Sequence, residues 1–167
     1  MNLRFGFVDV PYSARYSKRS PVKALRGKKP KPMSPMQQAY GQGETTVSVA
    51  NDLEKRYHIL DKFQEMYEDQ ITDIVIDSYA DGIEAMFNGQ KPGLVDSVNK
   101  KAGDIEKMFR DSLTNKEYDG KLSNVPTVAA QRGVSHLFAH PYARRAPRPS
   151  FIDTGMYQAS FTAWAEK

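Results

Sequence analysis

Residues 49–87 read VANDLEKRYHILDKFQEMYEDQITDIVIDSYADGIEAMF. Their apolar members fall at Val49, Leu53, Tyr57, Leu60, Phe63, Tyr67, Ile71, Ile74, Val75, Tyr79, Ile83, Met86 and Phe87, in steps that are almost all three or four. That is the spacing of one face of an α-helix, and acids such as Asp52, Glu54, Asp61, Glu65, Glu68 and Asp73 fill the other face. Thr45, Thr46 and Ser48 place N-cap hydroxyls just ahead of the stripe. Uninterrupted, residues 47–88 would form a rod of roughly 60 Å at about 1.5 Å per residue. A small globule cannot cover that length. The sequence therefore predicts either a bend, placed at Asp81-Gly82, or a stripe that packs partly on another chain.

Working outward, Asn88-Gly89-Gln90-Lys91-Pro92-Gly93 is a stop and a turn. A second amphipathic helix follows, with Leu94, Val95, Val98, Ala102, Ile105, Met108, Phe109 and Leu113 on one side. A short loop between two such helices predicts an antiparallel pair. Val125 to Ala130 opens a short helix ending near Gly133, and Ser135 to Ala139 alternates loosely like a strand. Ala143 to Pro149 reads as an exposed loop carrying a basic patch, Arg144, Arg145 and Arg148. After Gly155 there is room for one helical turn before a terminal strand through Trp164. The expected fold is α+β and helix-dominated: a long helix and an antiparallel second helix packed with a small antiparallel sheet.

The first 43 residues differ in kind. Pro11, Pro21, Pro30, Pro32 and Pro35 forbid a continuous helix or a central strand, and apolar residues are few after Tyr12. The division expected is an extended basic arm over 1–43 and a folded core over 44–167. The net charge of +4 conceals a segregation: +8 before residue 44, −8 over 44–119 and +4 from 120 onward. Such asymmetry points to self-complementary packing or to contact with a polyanion. The expected assembly arm comprises Phe5, Phe7, Tyr12, Arg15, Lys18, Arg19, Lys23, Arg26, Lys28, Lys29 and Lys31. Its apolar start (Leu3, Phe5, Phe7, Val8, Tyr12) is the part expected to dock, as an added strand.

Function classes narrow by what chemistry requires. With no cysteine, disulfides, thiolate catalysis and thiolate metal sites are excluded. No apolar run reaches the roughly 18 residues that a membrane span needs, and the N-terminus lacks the features of a signal peptide. His136 and His140 are four apart, but Pro141 follows and no glutamate lies between them. They read as ordinary polar residues, and His58 as a packing or surface residue. No metal, cofactor or enzymatic activity is expected.

Pro149-Ser150-Phe151-Ile152-Asp153-Thr154-Gly155-Met156-Tyr157-Gln158-Ala159-Ser160-Phe161 is the most distinctive stretch. Phe-Ile-Asp-Thr-Gly resembles the catalytic loop of an aspartic protease. That loop needs a second carboxylate and a sheet built after it, whereas twelve residues follow Gly155 here. The better reading is a structural turn: Asp153 or Thr154 caps a short helix, and Gly155 permits the tight bend.

The same stretch resembles the C-terminal element of the tail-completion, or neck, proteins of tailed bacteriophages. Thr45-Thr46-Val47-Ser48-Val49-Ala50-Asn51-Asp52-Leu53-Glu54-Lys55-Arg56-Tyr57-His58-Ile59-Leu60 resembles the opening of their first helix. The resemblance covers about half of the chain, and the long basic arm departs from the family's pattern. It implies an α+β structural subunit of a ring at the head–tail junction, with no catalytic residues. Its partners would be further copies of itself and connector, portal or tail proteins, in a virion assembled in the host cytoplasm. The alternative is a nucleic-acid-binding accessory protein that touches DNA non-specifically through the basic arm.

Overall fold

The computed structural model of the protein describes residues 2–11, 45–91, 93–134, 146–152 and 155–166. In chain order the elements are strand β1 (Asn2–Phe7), helices α1 (Thr46–Tyr57), α2 (Ile59–Phe87) and α3 (Leu94–Thr114), the short helices α4 (Val128–Gln131) and α5 (Met156–Ser160), and strand β2 (Phe161–Glu166). The fold is α+β and helix-dominated, with one small antiparallel sheet laid against the helices.

α1 begins where its cap chemistry says it should. The Thr45 hydroxyl accepts from the Ser48 amide, and the Ser48 hydroxyl accepts in return from the Thr45 amide. The helix then breaks at His58, whose backbone is left-handed (φ 52°, ψ 49°). Glu54 makes the break tenable. Its carboxylate reaches across and accepts from the Leu60 amide at 2.8 Å and the Asp61 amide at 3.4 Å, satisfying donors that the start of α2 leaves orphaned.

The bend expected at Asp81-Gly82 is therefore found 24 residues earlier, and Gly82 lies inside an unbroken α2. It serves close approach instead. A Cβ at Gly82 would stand 2.8 Å from Ser97 Oγ and 3.3 Å from Leu94 Cδ2, both on α3. Ser78, also fully buried, keeps the same face small one turn earlier. α2 and α3 thus form the predicted antiparallel hairpin, clasped on its flank by Lys101 and Asp81 at 2.7 Å.

The largest departure concerns the N-terminus. β1 does not extend away as an arm; it pairs antiparallel with β2, from Asn2 opposite Glu166 to Phe7 opposite Phe161. The alternation of Leu3, Phe5 and Phe7 sends these side chains inward, and the expected added strand is added to the chain's own sheet. Phe5 and Phe7 join Phe63, Phe109, Tyr157 and Phe161 in an aromatic core, the tightest pair being Phe109 and Phe161 at 4.1 Å between ring centroids. The folded core therefore includes residues placed in the arm by the sequence reading. Aromatic burial explains the correction: two phenylalanines on one strand face gain more from the core than from solvent.

The outer edge of β2 is closed by α3. Asn99 Oδ1 accepts from the Ala165 amide at 2.7 Å, and Glu106 Oε1 accepts from the Thr162 hydroxyl at 3.0 Å and the Ala163 amide at 3.4 Å. Side chains thereby occupy donors that an exposed edge would offer to other strands.

Candidate assembly surface

Two surfaces stand out once the core is assigned, and both come from segments that the sequence had marked. The first lies where the basic segment leaves the fold and where it returns. Pro11 and Thr45 form an antiparallel bridge, so residues 12–44 depart and re-enter at one point. Thr46 ties that point together. Fully buried, its hydroxyl donates to the Val8 carbonyl and accepts from the Val10 amide at 2.9 Å, while its own amide donates to the Val10 carbonyl at 3.0 Å. The basic segment is thus anchored at both ends rather than at one. Tyr12, Arg15, Lys18, Arg19, Lys23, Arg26, Lys28, Lys29 and Lys31 themselves lie outside the described residues.

The second surface is the solvent face of α2. The apolar stripe expected on one side of this helix does not stay on one side. From Ile71 its members run Val75, Tyr79, Ile83 and Phe87, each four residues on. Four residues turn about 400°, so each step advances about 40° and Phe87 ends about 160° around the helix from Ile71. Ile71 is buried, whereas Phe87 is 87% exposed, Ile83 48% and Met86 47%. Ile76, 58% exposed, falls on the same outward line. The far half of α2 thus carries apolar side chains on its outward side as well, among exposed Asp73, Asp77, Asp81 and Glu84, and among the described residues α3 covers only the inward side.

The remaining candidate residues resolve into structural roles or fall outside the description. Arg148, expected in an exposed basic patch, is turned inward: its guanidinium donates to the carbonyls of Val134 (3.0 Å), Pro149 (3.4 Å) and Ile152. Five donors in a planar fork suit this task, since one arginine can gather several loop carbonyls at once. Arg144 and Arg145, His136 and His140, the strand-like 135–139 stretch, and Asp153 and Thr154 lie outside the described residues. Gly155 is itself the N-cap of α5, at φ 75°, with no side-chain cap bond. Its left-handed backbone makes the expected bend, which a residue with a Cβ adopts only at a cost.

Glu54, His58 and Asp61 bring three ligand atoms within 4.8 Å of one another. The Glu54 carboxylate is already engaged by two backbone amides, and His58 Nδ1 faces Asp61 Oδ2 at 3.3 Å. Helix capping accounts for the group without an ion.

Beyond α3, the segment 115–127 is held by tyrosines. Tyr67 donates to Glu117 Oε2 at 2.6 Å, and burial followed by the hydrogen bond and charge of Glu117 pushes its phenol well above the ordinary range. Tyr118 is buried beside Ser112 at 3.1 Å; burial raises its phenol to about 12, against the opposing effect of the Ser112 hydrogen bond. Charging either ring opposes the fold.

Sequence reasoning passed over the edge-capping pair Asn99 and Glu106, and gave Thr46 and Arg148 other roles, as an N-cap hydroxyl and a surface base. Their signals are weak before the topology is known, because each acts on backbone groups far away in the sequence. Among the described residues, no helix is long and apolar enough to cross a membrane. Comparison with family models, curated proteins and solved structures found no match to this chain.

Proposed function

We propose that the protein is a structural subunit of a tailed-phage neck, forming a ring at the head–tail junction in a tail-completion role, rather than an enzyme. One observation carries the reading. The two stretches that resemble neck proteins lie about a hundred residues apart in sequence, yet they meet in the fold, with the rings of Tyr57 and Phe151 5.0 Å apart. Helix α1 packs on α5 beside them. The contact supports treating the two resemblances together, as parts of one region of the fold.

The surfaces suit a building part. An apolar helix face that the described residues leave open seeks a partner, and a basic segment anchored at both ends offers charge beside the core. Cryo-EM of the full chain, alone and mixed with portal–connector assemblies, tests the proposal. Discrete rings, or density seated on the connector, are the expected result. A stable monomer that joins neither heads, tails nor connectors would overturn it. DNA binding with a steep salt dependence, lost when residues 12–44 are removed from a chain that stays monomeric, would instead favour the nucleic-acid accessory role.

A further inference from the structure

The outward face of α2 carries a charge pattern as well as an apolar line. Between Lys62 and Lys91 the chain has seven acids, from Glu65 to Glu84, and no base. Only Asp81 among them is paired across the hairpin, with Lys101. Ile76, Ile83, Met86 and Phe87 therefore sit on a predominantly acidic stretch of helix, with Lys101 against Asp81 at its flank and Lys91 beyond its end. Two copies meeting through this same face would bring acid against acid, which opposes a symmetric pair.

The chain encodes one segment of the opposite character. Residues 12–44 hold eight bases against the single acid Glu44, interspersed with Val22, Leu25, Met33 and Met36. The segment starts and ends at the Pro11–Thr45 bridge. That bridge lies beyond the Phe7–Phe161 end of the sheet, level with Phe109, while Ile83 and Phe87 lie by the hairpin turn that precedes Leu94. Fifteen residues of α3 separate the two levels, about 22 Å at 1.5 Å per residue. The basic segment thus issues from one end of the subunit and the acidic apolar face occupies the other.

We propose that the outer face of α2, centred on Ile83 and Phe87, receives the basic segment 12–44 of a neighbouring copy. This deepens the assembly reading above and rests on it for the ring. The contact is heterologous: each subunit gives a segment at one end and takes one at the other. Such contacts propagate and close into rings when the rotation between copies permits. Charge selects the partner, and burial of the apolar line holds it.

Complementation tests the contact without any phage component. Two variants of the full chain are made: Ile83→Asp with Phe87→Asp, which spoils the receiving face, and Lys28→Glu with Lys29→Glu and Lys31→Glu, which spoils the donated segment. Circular dichroism confirms that each folds, and sedimentation or native mass spectrometry reads the assembly. Wild type is expected to form oligomers that dissociate as salt is raised. Each variant alone is expected to be monomeric, its association weakened by at least about a hundredfold. An equimolar mixture has one intact face and one intact segment, so it should yield dimers and nothing larger. A monomeric wild type, a variant that assembles normally, or a mixture that stays monomeric would overturn the contact; the last is what docking within one chain produces. Restored dimers from a protein that never enters a particle would leave the contact standing and defeat the neck assignment.

Discussion

Thr46→Val is the sharpest test of how the two ends of the basic segment are held. Valine matches threonine in shape and has a similar helix propensity, so the substitution deletes a hydroxyl and little else. In the wild type that hydroxyl, itself fully buried, serves two part-buried backbone groups, the Val8 carbonyl and the Val10 amide, which places each loss in the lower half of the range for buried groups. Each would lose its partner in the variant. Leaving a buried polar group unsatisfied costs about 1–3 kcal/mol. The remaining Thr46 amide bond to Val10 limits the local rearrangement, so the total expected is about 2–4 kcal/mol. For a chain of this size each kcal/mol moves the melting temperature by about 2–4 °C, giving a fall of roughly 5–15 °C. Urea denaturation followed by far-UV circular dichroism measures it. Thr46→Ser is the companion: it keeps the hydroxyl and loses one buried methyl, worth about 0.8 kcal/mol. A Thr46→Val protein within 0.5 kcal/mol of wild type, or a serine variant as damaged as the valine one, would refute the reasoning.

Other expectations follow from the same geometry. Glu54→Ala should destabilise the protein by about 1 kcal/mol through loss of the α2 cap, read as a lower urea midpoint with an unchanged slope. The phenols of Tyr67 and Tyr118 are raised in the fold, so the unfolded chain releases their protons first as pH rises. Their contribution is whole below pH about 10 and is lost above it, so stability should fall from pH about 10 upward. That decline should be shallower in Tyr67→Phe, and an identical pH profile would count against the assignment. Cutting at a specific protease site inserted beside Gly27 should leave the N-terminal fragment bound to the rest through gel filtration, because β1 is part of the core. Separation of the two pieces without denaturant would show that the strand is held only by its connection.

Much of this fold was legible because helices and turns announce themselves locally. The capping residues at Thr45 and Ser48, the stop at Asn88-Gly89 and the apolar side of α3 each depend on neighbours within a turn or two. The break at His58 was not legible, since it depends on Glu54 folding back over a backbone that a left-handed residue had already redirected. The outward drift of the α2 stripe was present in the sequence as successive steps of four, but a count of threes and fours treats drift and constancy alike. β1 was misread because its partner lies at the opposite end of the chain, and six alternating residues cannot name a partner. For the candidate surface, the sequence supplied the basic segment and the apolar residues. Only the topology set them at opposite ends.

The union of β1 with β2 also orders events in time. A ribosome makes β1 first and β2 about 150 residues later, an interval of roughly 8–30 s at ~5–20 residues per second. Throughout it Phe5 and Phe7 have no sheet to enter, Phe109 lacks the ring of Phe161 that stacks on it, and Phe63 lacks the same ring at its edge. The helical hairpin can form while synthesis continues, because its contacts are local. The core cannot close until β2 leaves the ribosome. A chain cut short before Phe161 leaves Phe5, Phe7, Phe63 and Phe109 without the ring they share, so closure of the core depends on β2.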